Sequence, residues 1–248
     1  MSIRADTAGE YLSRTTSLPS ASAFTACGWF IRRVDPNSFK SVVSLDNGGA
    51  KWIILQTGST GDTLIVSTSG ADSSDIISSI VNDEWIFWAV TSDGGTVNGF
   101  AARPGDINLS TASTTVGAFT PSRLTILTDF LNGLLSASVA HLKMYDAVLT
   151  QTELEAEMRQ IPPKRFGGLH LWNPFLSSSD VKDYSGNGRD WTTNGTLSTE
   201  DNPPVGWGSS VLVHPSTVTA AVVPVLSWAP GYAVSGGPRD VAIPSGAY

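Results

Sequence analysis

Phe119–Ile161 holds, in order, Leu124-Thr-Ile-Leu127, Asn132-Gly-Leu-Leu135, Ser138-Val-Ala-His-Leu-Lys-Met-Tyr145 and Asp146-Ala-Val-Leu-Thr-Gln-Thr-Glu-Leu-Glu-Ala-Glu-Met-Arg159. The stretch reads as a strand, a turn, a long strand and one short helix. In the long strand Ala140, Leu142 and Met144 alternate with His141, Lys143 and Tyr145. That period of two predicts a half-buried antiparallel strand with the two sets on opposite faces. Thr150, with Glu153 three residues on, predicts a capping box, and Leu149 with Leu154 a hydrophobic staple. Pro162-Pro163 is expected to end the helix, because proline offers no N–H and restricts the residue before it.

Upstream the chain is punctuated at short, regular intervals. Phe24–Val34 is apolar on both faces around Trp29 and reads as a central strand. Asp35-Pro36-Asn37 is a turn. Ser41–Leu45, Trp52–Gln56 and Thr63–Ser67 read as strands parted by Asn47-Gly48-Gly49 and Gly58–Gly61. Gly70–Ser74 reads as a polar loop and Ile76–Val81 as a strand. Trp85–Thr91 and Val97–Ala102 form a hairpin over Asp93-Gly94-Gly95. Short strands at this spacing are the mark of an all-β sandwich.

The order of Asp6-Thr-Ala-Gly-Glu-Tyr-Leu12, Phe24-Thr-Ala-Cys-Gly-Trp-Phe30, Asp83-Glu-Trp-Ile-Phe-Trp-Ala-Val-Thr91 and the Asn132–Glu153 segment resembles a laminin-G-like domain of the concanavalin A-like lectin/glucanase superfamily. The resemblance covers roughly residues 3–161. It implies a two-sheet antiparallel jelly-roll sandwich with one short helix, and no particular activity. Leu169–Trp191 carries a strand followed by Asp183-Tyr-Ser-Gly-Asn-Gly-Arg-Asp190, a segment that in such proteins usually precedes the opening strand. Its late position suggests a rotated order in which residues 168–195 complete the sandwich. The domain is therefore placed at residues 1–202.

Residues 203–248 differ. They hold seven of the fourteen prolines and, as charges, only Arg239 and Asp240. Apolar pieces (Val211, Leu212 and Val213; Val222, Val223, Leu226 and Trp228) show no helical period. Proline keeps them out of a central strand, so the segment is expected to be an extended arm that packs on its own domain or a neighbour.

The formal net charge of −7, with 15% charged residues, and the lack of a Lys/Arg cluster argue against nucleic-acid binding. No apolar run is long enough for a membrane span. The N-terminus has no secretory h-region. The single cysteine, Cys27, reads as a buried structural thiol.

The chemistry of the site is sparsely marked. The superfamily's β-glucanases carry E-x-D-x-E on one strand face, and no such run occurs. Asp83 and Glu84 point apart, Glu153, Glu155 and Glu157 read as solvated helix carboxylates, and Glu200-Asp201 reads as a loop. His141, His170 and His214 are scattered. No nucleophile elbow, metal pair or phosphate loop is present. The chain is therefore expected to be no enzyme and to need no cofactor, with calcium left open. Some laminin-G-like domains bind that ion through loop oxygens, which by resemblance nominates Asp46, Asn47 and Asp129. The alternative is that these residues only build turns. Glycan binding, common in the family, nominates Trp172, Tyr184, Trp191 and Trp207 as platforms, with packing in core or arm as the alternative. A lectin-like domain, an apolar arm and no secretion signal together resemble bacteriophage virion surface proteins. Such a decoration, fibre or adhesin would assemble in a host cytoplasm with itself and other virion proteins. A glycan-binding lectin module is the competing expectation.

Overall fold

In the computed structural model the described residues are 1–7, 9–69, 71–128 and 135–205, without the side chains of residues 71 and 72. Two antiparallel sheets face each other. The first runs β10 (Ser110–Thr115), β9 (Thr96–Ala102), β8 (Trp85–Ser92), β3 (Phe24–Arg32), β12 (Ala137–Tyr145), β1 (Ser2–Ala5) and β15 (Ser198–Glu200), with β13 (Leu169–Asn173) also on β12. The second runs β14 (Thr192–Asn194), β2 (Tyr11–Arg14), β11 (Arg123–Ile126), β4 (Ser41–Asp46), β5 (Trp52–Thr57), β6 (Thr63–Thr68) and β7 (Ala71–Ser78). One α-helix, α1 (Gln151–Met158), stands among the described residues. This is the expected jelly-roll sandwich.

The core between the sheets is built from alternate residues of each strand. Leu12, Val43, Leu45, Ile53, Leu55, Leu64, Val66, Leu124 and Ile126 face it from the second sheet, and Phe24, Phe30, Trp88, Val139, Leu142 and Met144 from the first. The first sheet carries another apolar layer on its far side. Cys27, Trp29, Phe87, Ala89, Tyr145, Leu149, Leu154 and Met158 form it. Burial pushes the Cys27 thiol up to about 12, so it stays protonated.

β12 departs from the expected half-burial, because every one of its residues is buried. Its alternation also breaks. Ala140 pairs with Trp29 but Lys143 with Cys27, so β12 spends one residue more than β3. This is a β-bulge, and His141 sits in it with φ +53°. Gly28 lies opposite; a Cβ there would stand 3.1 Å from the Ala140 carbonyl oxygen. The extra residue moves Ala140 to the face of Tyr145, in the far layer, while Leu142 and Met144 face the inter-sheet core. Strict alternation would have put Ala140 with Leu142.

The helix forms as its sequence requires. The Thr150 side chain accepts from the Glu153 N–H and the Glu153 carboxylate accepts from the Thr150 N–H. Leu149 and Leu154 are both buried. The helix stops at Met158 with Arg159 as C-cap, ahead of Pro162-Pro163. Glu157, expected in solvent, is 1% exposed and meets Lys143, itself 2% exposed. The Lys143 ammonium donates to Glu157 Oε2 at 2.8 Å and to the Glu157 and Gln160 carbonyls at 3.0 and 2.8 Å. Glu157 Oε1 accepts the Lys164 and Arg165 N–H groups. A lysine on a strand covered by a helix must find such partners, since burying it bare is prohibitive.

Smaller differences have local causes. Gly70–Ser74 is not all loop, because β7 starts at Ala71; it pairs with β6 through two register irregularities. β7 also ends at Ser78, short of Val81. β10, all Ser, Thr and Ala, gives no hydrophobic signal yet pairs along its length with β9. Glu200 ends β15 and joins a rim network. Arg4, Arg33 and the Ser138 hydroxyl all bond its carboxylate. Burial raises its affinity for a proton, but those partners outweigh it and hold it below the usual range.

Two outcomes are expected. Glu157→Leu alone should cost about 3–5 kcal/mol in urea unfolding by stranding the Lys143 charge, and adding Lys143→Met should restore most of it. His141 is held neutral, chiefly by burial and then by the Lys143 charge, with its pKa lowered to about 3 from 6.5. The unfolded chain therefore binds this proton first as pH falls. The contribution is complete above about pH 6.5 and drains away toward pH 3. His141→Asn, which accepts a left-handed backbone, should show a shallower acid loss of stability than the parent between those limits.

Candidate functional site

β12 has one edge beyond β3, and two strands share it. β1 pairs with Ala137–Val139 and β13 with Leu142–Tyr145. β13 then leads into residues 174–191, a segment organised around its own carboxylates. Asp183 Oδ1 accepts the N–H groups of Trp172 and Ser185, at 3.1 and 2.8 Å. Its Oδ2 accepts the Arg189 N–H at 3.0 Å and the Ser185 hydroxyl at 2.8 Å. Asp190 Oδ1 accepts the Asp183 N–H at 2.8 Å. The Arg189 guanidinium and the Asn187 amide both donate to the His170 carbonyl. The loop is thus closed on itself, with Asp183 and Asp190 turned to its own backbone.

Trp172 and Tyr184 come together here. Their rings meet edge to face, with centroids 6.1 Å apart and planes at 63°. Trp172 is only 5% exposed and acts as a buttress; its indole N–H has no partner among the described residues. Tyr184 is 36% exposed and presents its ring. Its hydroxyl donates to Asp180 Oδ1 at 3.2 Å, and Asp180 Oδ2 accepts the Leu176 N–H at 2.9 Å. Partial burial and then the Asp180 charge push the Tyr184 phenol up, so it remains a donor. Leu176, whose N–H meets the same carboxylate, is 42% exposed. Asp180 and Leu176 were not singled out in the sequence; a Tyr four residues after an Asp was the available signal.

Trp191 does not join this surface. It is 4% exposed and belongs to the inter-sheet core, its backbone N–H donating to the Val181 carbonyl. Burial of Trp172 and Trp191 removes both as open stacking faces. Trp207, and the arm residues Val211, Leu212, Val213, Val222, Val223, Leu226 and Trp228, lie outside the described residues, as does His214.

Two of the nominated calcium residues, Asp46 and Asn47, have partners within the chain. Asp46 is fully buried, on the face of the second sheet that points away from the core. Its oxygens accept Arg123 Nε at 3.1 Å, Arg123 Nη2 at 3.2 Å and the Gly48 N–H at 2.9 Å. Asn47 Oδ1 accepts the Lys51 N–H at 2.7 Å. A cation at Asp46 would have to displace a bidentate guanidinium. Asp129 lies outside the described residues, among which no cluster of three His, Cys, Asp or Glu side chains is placed to hold a metal. His170 is likewise engaged: Nδ1 meets the Asp146 carboxylate at 2.8 Å and Nε2 the Ser17 carbonyl at 2.8 Å.

No protein-family model matches the sequence, and no curated protein matches it. Solved structures share the fold. A protein from Bacteroides ovatus proposed to bind carbohydrate is similar with a TM-score of 0.59 at 16% identity, over 82% of this chain and 61% of that one. The enzymatically active domain of bacteriophage CBA120 tailspike protein 2 is similar at 0.51 and 11% identity, over 64% of this chain and 27% of that one. The heptameric SAP-like pentraxin of Limulus polyphemus gives 0.50 and 13%, over 79% of this chain and 92% of that one. The chain therefore spans less than two thirds of the length of the first two. These likenesses show that the two-sheet jelly-roll fold is shared.

If Asp183 organises the loop, Asp183→Ala should release four donors at once. Thermal or urea unfolding should then show a loss of about 1–3 kcal/mol, with faster amide exchange at Ser185 and Arg189.

Proposed function

We propose that the chain is a carbohydrate-binding module that acts by recognition, without catalysis. The observation that carries this reading is the Tyr184 surface. Its ring is exposed, braced by Trp172, and set beside an Asp180 carboxylate able to accept sugar hydroxyls. A pyranose offers one face of C–H groups to a ring and an equator of hydroxyls to polar neighbours, which is what this surface accommodates. The fold it shares with the Bacteroides ovatus protein and with the pentraxin supports the reading without assigning a ligand. Hydrolysis would need two facing carboxylates, whereas Asp183 and Asp190 bind their own backbone, which leaves Asp180 alone beside the ring, and Asp46 is locked to Arg123.

The competing role as a virion surface component rests in the sequence on the domain, the lack of a secretion signal and the arm, of which residues 206–248 lie outside those described. Its support is the fold shared with the tailspike domain.

A glycan array probed with the full chain should show selective retention of some oligosaccharides. Tyr184→Ala should weaken the best of them by about tenfold, the worth of one good ring contact, with the melting temperature unchanged. An array with no retained glycan, or retention untouched by that substitution, would sink this reading of the site.

A further inference from the structure

Residues 15–20, after β2, and residues 119–121, before β11, enclose a groove of about 290 Å³. Phe119 supplies an aromatic wall, Pro19 and Pro121 apolar edges, and Ser17, Ser20 and Thr120 hydroxyls. No charged side chain lines it. Phe119 packs partly against the inter-sheet core, which fixes its place.

Both walls are tethered from behind. Arg14 Nη2 donates to the Thr16 carbonyl at 3.0 Å, and the Ser92 hydroxyl to the Ala21 carbonyl at 2.7 Å. The His170 ring holds the Ser17 carbonyl between them. Across the groove, Lys51 Nζ donates to the Ala118 carbonyl at 2.9 Å and the Ser122 N–H to the Asp46 carbonyl at 2.8 Å. Walls fixed in this way need little ordering when a ligand enters.

We propose that this groove is a second saccharide subsite, selective for a neutral pyranose ring. The lining pairs an aromatic wall with hydroxyls that donate and accept, which suits the two sides of a sugar. It holds no cation to offset the desolvation of a uronic acid, sialic acid or phosphate group. Its volume falls at the small end of small-molecule sites. His170 links it to the Tyr184 surface. The ring holds Ser17 of the groove, and the carbonyl of the same residue accepts from Asn187 and Arg189 of the loop that carries Tyr184. The inference rests on the carbohydrate-binding reading and extends it to a site of another shape.

The test is an amide-resolved NMR titration of the full chain with D-glucose, D-galactose and N-acetyl-D-glucosamine, and D-glucuronate as the charged comparator. At least one neutral sugar should give saturable shifts at Ser17, Ser20 and Thr120, with glucuronate at least tenfold weaker. Phe119→Ala should weaken that binding about tenfold, and Phe119→Trp, which keeps a ring should the alanine variant misfold, should retain it. Neutral sugars that shift only the residues around Tyr184 would overturn the subsite while leaving the carbohydrate reading intact. Glucuronate binding as tightly as the neutral sugars would overturn the neutral selectivity. Shifts in neither region, with no glycan retained on an array, would overturn both.

Discussion

Everything in the first sheet is referred to β12, a strand with no face to spare for water. It lies between β3 on one side and β1 and β13 on the other, under α1 and over the inter-sheet core. A strand so placed is normally continuously apolar, yet β12 contains Ser138, His141 and Lys143. Each is accommodated differently. Ser138 reaches Glu200 at the rim, Lys143 is neutralised by Glu157 on the covering helix, and His141 stays uncharged in the bulge. The ion pair therefore ties the helix to one place along the strand. A purely apolar pairing would tolerate a shift along the strand, whereas an ammonium with three oxygen partners does not.

The periodic elements were legible in the sequence because their signals are local. The capping box at Thr150 and Glu153, the Trp85–Ser92 hairpin strand and the doubly apolar β3 each carry enough information within about ten residues. What escaped is non-local. Nothing near Glu157 says that a lysine fourteen residues earlier will face it across a layer, since that depends on the helix folding back over its own strand. The bulge at His141 is a relation between two strands, visible only when Gly28 is set against it. β10 has no apolar alternation and is a strand because β9 presents an open edge.

The candidate site was read in part for the same reason. Trp172 and Tyr184 stood out as aromatics in a loop-rich segment, and they do meet. Which of them faces outward is decided by burial. Trp191 shares their neighbourhood in sequence but its backbone is drawn to Val181, which turns its ring into the core. Asp46 looks like a turn residue and a possible ion ligand until Arg123, seventy-seven positions away, is placed on the adjacent strand. Composition names the chemistry a loop could offer; topology decides which groups remain available for it.

The sharing of one strand edge by β1 and β13 has a consequence for the order in which the chain can fold during synthesis. Among the described residues β1 pairs with β12 and β15 alone, and β2 with β11 and β14 alone. The first strands to leave a ribosome are thus among the last to find partners. By contrast β4 to β7 form a run of neighbours that can close as each emerges. Until residues 123–145 appear, β1 and β2 have no partner strand, and each keeps one edge open until β14 and β15 follow, a state that invites pairing with other nascent chains. The topology that ties the two ends of the sandwich together at equilibrium makes its opening residues the most dependent on synthesis of its closing strands.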